Sequence, residues 1–190
     1  HLLLLLIATS SVFTRKMWIW FLNASIVTSL ISVGQAFSQI AEKGFEYRID
    51  TTLGNPIYLA VYMLFNAFIS ILLLTQIQAS ALKKFVKDFR AWIYLIAFFL
   101  QSIILFQTGT RGAMLGLLGG LFLSAILIVI FAKGQPALRK TFGSVILIVL
   151  IFVGSLFVFK DSDWVKGTQS FRRITTISVS EGSAQARLWN

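Results

Sequence analysis

Four arginines stand where their surroundings could put them to chemical use. Arg111 sits in the glycine-framed stretch Gln107-Thr108-Gly109-Thr110-Arg111-Gly112-Ala113, between two hydrophobic runs, while Arg172, Arg173 and Arg187 lie in a polar C-terminal tail. A guanidinium stays protonated and offers a planar fork of donors that matches phosphate oxygens, so the chemistry open to these residues is the grip and neutralisation of an anion. The plainer alternative for Arg111 is an anchor, its side chain snorkelling to the headgroups from a tight hairpin. For Arg172 and Arg173 the alternative is a solvated or headgroup-facing pair. Ionisable residues at a membrane edge are functional candidates by default, and a charge among so many glycines is poorly explained by anchoring alone.

Other kinds of chemistry find no support in the residues. The chain has no cysteine, its one histidine is His1, and no carboxylate pair sits in or beside a hydrophobic run at ligand spacing, so neither a disulfide framework nor a metal site is legible. Neither a Walker A sequence nor GxGxxG occurs in a strand-to-helix setting, and no fixed-period repeat stands out. No cofactor is expected. Asn23-Ala24-Ser25 fits a glycosylation sequon but falls inside a hydrophobic run and is set aside.

The elements that must position the arginines are membrane spans. The 190 residues are 57% hydrophobic and only 13% charged, which excludes a soluble globular surface for most of the chain. A hydrocarbon core about 30 Å thick requires roughly 20 mostly apolar residues per crossing. Five runs meet or approach this, near 17–37, 57–77, 91–106, 113–131 and 141–159. A sixth, near 1–13, begins in mid-hydrophobe without an initiator Met or basic n-region and reads as the cut end of another span. Backbone groups in lipid must pair within a helix or a closed barrel, and these runs show no alternating pattern. The expected fold is therefore all-α, a polytopic bundle of about five full spans and one partial span over residues 1–159, with residues 160–190 opening an outer loop.

The net charge of +10 would suggest nucleic acid in a soluble protein, but here its distribution decides. Arg15 and Lys16, then Lys83, Lys84, Lys87 and Arg90, then Lys133, Arg139 and Lys140 fall in short loops on one side. The opposite loop 38–56 sets Lys43 and Arg48 against Glu42, Glu46 and Asp50, and the 107–112 turn has only Arg111. The positive-inside rule assigns the first set to the cytoplasm, so the basic excess is a topology signal and nucleic acid is not an expected partner. In 79–90, Leu82, Phe85, Val86 and Phe89 recur at helical spacing opposite the lysines, the pattern of a connector lying on an anionic leaflet.

This assignment gathers 53–56, 108–112 and the tail from Lys160 on the outer face, with Trp164 in the outer aromatic belt. Asn55-Pro56 fits a loop end at the start of a span, where proline costs no helical hydrogen bond. Gly112, Gly116 and Gly120, at spacing four, would let another helix approach closely.

In this setting Thr110-Arg111-Gly112-Ala113 followed by Leu115-Gly116-Leu117 resembles the arginine-glycine-alanine hairpin of the O-antigen ligase and polymerase family. Upstream, Thr52-Leu53-Gly54-Asn55-Pro56-Ile57-Tyr58-Leu59-Ala60 resembles the family's glycine-asparagine-proline segment. Downstream, Phe171-Arg172-Arg173-Ile174 and Ser183-Ala184-Gln185-Ala186-Arg187-Leu188-Trp189 resemble its outer-loop arginine motif and nearby tryptophan. The order, spacing and shared side of these segments, from Thr51 to Asn190, carry the resemblance.

The resemblance implies a metal-independent, inverting membrane glycosyltransferase of the bacterial inner membrane. Its donor would be an undecaprenyl diphosphate-linked glycan on the outer face, and its acceptor lipid A core, another glycan or a protein. Arg111 and Arg187 would contact the diphosphate as catalytic groups, with Arg172 or Arg173 as a third binding residue. The family's outer-loop histidine has no counterpart after Arg187, so the resemblance further implies a piece truncated at both ends and inactive by itself. Two other readings stay open: a transporter or flippase of lipid-linked sugars that binds the same diphosphate without breaking a bond, and a membrane scaffold. Transporters commonly carry broken spans and charges near the midplane, and no charged residue lies well inside a span here.

Overall fold

The structure is a computed structural model, and it describes residues 13–44, 47–78, 88–131 and 136–158. Five α-helices account for nearly all of them: α1 Arg15–Lys43, α2 Pro56–Gln78, α3 Phe89–Gln107, α4 Arg111–Phe131 and α5 Pro136–Val158, with a single 3₁₀ turn at Thr51–Leu53. The described residues are thus all-α. Four of the helices, α1 to α4, are long and apolar enough to cross a membrane. In α5 the apolar part is the shorter stretch Phe142–Ile151. Residues 1–12 and the whole tail after 158 lie outside the described residues. The surface connector expected over 79–90 is described only from residue 88 onward.

Helix ends are set by local chemistry. The Thr14 hydroxyl accepts from Met17 N–H at 3.4 Å to open α1, and Gly44 closes it at φ +84°, its N–H bonded to the Ile40 carbonyl at 2.9 Å. Lys43 in that last turn lies 5.1 Å from the Tyr47 ring centroid, a cation placed favourably for both the helix dipole and the aromatic face. With 29 residues, α1 is about 43 Å long at 1.5 Å per residue, longer than the hydrocarbon core. The sequence reading began the loop at residue 38, whereas the helix continues to Lys43 because nothing in Ser38-Gln39-Ile40-Ala41-Glu42-Lys43 breaks it before Gly44.

The chain divides into two compact units, His1–Leu105 and Phe106–Asn190, the division falling in the last turn of α3. The first unit is a bundle of α1, α2 and most of α3 around Ile26, Leu73 and Ala97, with Leu22, Leu30, Ile69 and Tyr94 packed on that cluster. Between membrane helices there is no hydrophobic gain over lipid, so small residues and interhelical hydrogen bonds must hold them together. Both are present. Ser29, Ala60, Ala67, Ser70, Ala91 and Ala97 are fully buried. Gln101 of α3 donates to the Ser29 hydroxyl of α1 at 2.7 Å and accepts from the Ser70 hydroxyl of α2 at 3.0 Å, so one amide ties all three helices. Ser25 donates to Asn66 at 2.9 Å, Thr28 and Tyr62 share a bond of 2.9 Å, and Tyr94 donates to Asn23 at 2.7 Å. At about 0.6 kcal/mol for an average bond of this kind, these five interhelical bonds contribute about 3 kcal/mol together.

The same bonds fix direction. Residues 23 and 29 of α1 meet 94 and 101 of α3, both rising along the chain, so these helices run parallel. Residues 25 and 28 of α1 meet 66 and 62 of α2, one rising as the other falls, so α2 runs antiparallel to α1. Arg15, Lys16 and Arg90 therefore share one end of the bundle, and the loop 47–55 lies at the other.

That loop is clasped to α1 by the helix turns that project past the apolar stretch. The Gln39 amide oxygen accepts from the N–H groups of Asp50 at 3.3 Å and Thr51 at 3.1 Å, its nitrogen donates to the Asp50 carboxylate at 3.0 Å, and Gln35 accepts from the Thr52 hydroxyl at 3.0 Å. Ile49 is buried beneath. In the second unit α4 and α5 pack along each other.

Candidate functional site

The arginine turn is built from its backbone outward. α3 stops at Gln107, and Gly109 turns the backbone at φ +65°, a left-handed conformation that costs an L-residue about 1–2 kcal/mol and glycine little. Its N–H bonds the Phe106 carbonyl at 3.0 Å. The Thr108 hydroxyl, fully buried, accepts the Thr110 N–H at 3.3 Å and donates to the Thr110 hydroxyl at 3.1 Å, locking the turn from within. The Thr110 carbonyl then takes the N–H groups of Ala113 and Met114, each at 3.1 Å, and α4 begins. Every polar residue of Thr108-Gly109-Thr110 is thus committed to one shape, and its product is the position of Arg111.

Arg111 is the first residue of α4 and is half-buried. No acidic residue follows in the first turn. A helix start carries roughly half a unit of positive charge, so a cation here faces an unfavourable dipole by about 0.3–1 kcal/mol, while an anion would be attracted by both. Ala113, Met114 and Leu117 form the buried side of α4, and Gly112 is on the exposed side. A methyl group built on Gly112 would meet no atom within 4 Å, so the close helix approach expected of the glycine stripe is not what this glycine serves among the described residues.

The upstream segment forms the entry to α2. Pro56 is its first residue, and the Asn55 side chain accepts from Ile57 N–H at 2.8 Å while its carbonyl takes Leu59 N–H at 3.1 Å, a cap that uses a proline where no N–H is needed. Thr52 is held by Gln35, and Gly54 turns the chain at φ +67°. Thr51 was not singled out from sequence. It adopts φ +52°, rare for a β-branched residue, and its buried hydroxyl has no hydrogen-bond partner, a combination found among the described residues at this position alone.

Arg172, Arg173 and Arg187 lie outside the described residues, as does Trp164, so of the four sequence-derived site residues the structure positions Arg111. Sequence reasoning passed over the neutral polar ladder of the first unit. Its signal was present in Tyr62, Asn66 and Ser70, spaced by four along α2, and in Asn23, Ser25, Thr28 and Ser29 on α1. Compared with protein-family profiles, curated proteins and solved structures, the chain matches none.

Proposed function

We propose that the chain belongs to a membrane glycosyltransferase that moves a glycan from an undecaprenyl diphosphate carrier to lipid A core, a growing polysaccharide or a protein. In this reading α5 supplies a fifth crossing, residues 1–13 a partial one, and the site faces the extracytoplasmic side of a bacterial inner membrane. The observation that carries it is Arg111, held at the start of an apolar helix by a turn whose residues serve that placement, within the segment that resembles the arginine-glycine-alanine hairpin of O-antigen ligases and polymerases.

The step assigned to it is a displacement at the sugar C1. An acceptor hydroxyl forms the new C1–O bond and gives up its proton to water, the old C1–O bond breaks, and its electron pair leaves on the diphosphate. Arg111 and Arg187, with Arg172 or Arg173, bind the departing group, charge-assisted bonds being worth about 1.5–3 kcal/mol each. Fixed positive donors of this kind stabilise the charge that develops as the bond breaks. The alternative of a transporter or flippase is disfavoured by the buried polar side chains among the described residues, which are Ser29, Thr51, Asn66, Ser70, Gln101 and Thr108, all neutral.

The test is Arg111→Ala introduced in the encoding gene. Loss of glycan transfer at unchanged membrane levels is expected, and undiminished transfer would end the assignment.

A further inference from the structure

At the bundle end shared by Arg15, Lys16 and Arg90, α1 and α3 part to leave a cavity of about 450 Å³ lined by Ile19, Trp20 and Asn23 from α1 and Arg90, Ile93 and Tyr94 from α3. We infer that this cavity binds the headgroup and upper acyl chain of an anionic phospholipid. The inference stands apart from the glycosyltransferase reading and survives its failure.

The lining is amphiphilic in the order a phospholipid requires. Arg90 lies in the first turn of α3, at the bundle end, and Tyr94 is one turn further into the helix, about 6 Å along the axis. The deep end is closed by the Tyr94–Asn23 bond of 2.7 Å. Asn23 spends one amide hydrogen on the Ile19 carbonyl at 2.7 Å and keeps a second for an oxygen acceptor. Between these polar points the walls are Ile19, Ile93 and the Trp20 indole, which is 70% exposed.

Charge selects the headgroup. The cavity lining holds one full cation and no carboxylate among the described residues. The nearest acid along the chain is Asp88, whose carboxylate already caps α3 through the Arg90 N–H at 3.0 Å. A second cavity of about 400 Å³ shares Trp20 and is lined by Lys16 with Phe13, Thr14, Met17 and Phe21. Trp20 thus lines two cavities, each with one basic residue among the described residues. A zwitterionic headgroup would bring an ammonium with no carboxylate among the described lining residues to pair it, whereas a phosphodiester of net negative charge meets Arg90. Apolar walls distinguish a lipid from a free phosphate. Basic recesses between membrane helices are a recurrent site for such lipids.

Native mass spectrometry of the purified full chain measures this, with phosphatidylglycerol and phosphatidylcholine of matched chains as competing ligands and glycerol phosphate as the chainless control. Phosphatidylglycerol is expected to be retained about five-fold better, the factor for about 1 kcal/mol per basic residue at the membrane surface. Arg90→Gln should bring the two lipids to parity, Arg90→Lys should keep most of the preference, and Arg139→Gln, on an exposed residue of α5, should leave it unchanged. Because Arg90 is itself exposed, loss of the fold is not expected in these variants. Equal retention of the two lipids by the unaltered chain would overturn the inference. So would a preference that survives Arg90→Gln, one that falls equally with Arg139→Gln, or displacement of the lipid by glycerol phosphate at equal concentration.

Discussion

Gln101 donates to Ser29 across 2.7 Å in the interior of a three-helix unit, and both side chains are fully buried. The Ser29 hydroxyl meanwhile donates to the Ile26 carbonyl of its own helix at 2.7 Å, and the single hydroxyl hydrogen of Ser70 is shared between Gln101 and the Asn66 carbonyl, each at 3.0 Å. Both serines stay satisfied if the amide is removed. Gln101→Leu should therefore cost only about 1–2 kcal/mol in a reversible unfolding measurement in detergent, the upper range for such bonds.

Gln101→Glu should cost more at neutral pH, because an ionised carboxylate would be buried among apolar side chains. Protonation neutralises such a group as pH falls. The stability of this variant should then recover on acidification while that of Gln101→Leu stays flat. Equal losses at neutral pH would mean that the site is wet and the helices loosely joined.

Thr51 pays for a left-handed backbone and a hydroxyl without a partner. Glycine removes both penalties at the cost of a more flexible unfolded chain, and Thr51→Gly should raise stability by about 1 kcal/mol. Gln39→Ala, which strips the acceptor from two backbone N–H groups of the same loop, should lower it by about 1–3 kcal/mol. A melting temperature lowered by the glycine would show that the threonine hydroxyl has a role the intramolecular bonds do not reveal.

The two glycines that flank the arginine turn are expected to behave in opposite ways. Gly109→Ala puts a side chain on φ +65° and should destabilise the turn by about 1–2 kcal/mol, reducing transfer by misplacing Arg111. Gly112→Ala meets open space on a helix and should be neutral or slightly stabilising. At position 111 itself, Ala should reduce transfer by about 10²–10³, the range for removing one preorganised donor, and Lys should retain part of the rate because it keeps the charge but not the fork.

A chain without cysteine is suited to single-cysteine labelling. The parallel course of α1 and α3 requires Lys16→Cys and Asp88→Cys to label from one side of the membrane and Tyr47→Cys from the other. If the first two labelled from opposite sides, the bundle described for the first unit would be wrong.

Much of the local structure is legible in the residues themselves. Pro56 after Asn55 marks the start of a helix, and Gly109 marks a turn, because each supplies a backbone property that other residues lack. The end of α1 was not legible in the same way. Polarity in Ser38–Lys43 signals where lipid ends, but a helix outlasts the bilayer until something stops it, and here that is Gly44. Thr51 could not be foreseen at all, since its strained backbone is imposed by the Gln39 clasp and the burial of Ile49 rather than chosen by threonine.

The amino-acid order alone settles that the described chain is helical and apolar, for a backbone in lipid must satisfy its own hydrogen bonds within each segment. It also settles where single residues force a turn. Which polar side chains meet was decided by the tertiary arrangement. Asn66, Ser70 and Gln101 could each have faced lipid, a lumen or another helix. Only the rotation and register of three packed helices select Ser25 and Ser29 as their partners, run α1 beside α3 in one direction, and leave a recess where Arg90 and Trp20 stand together.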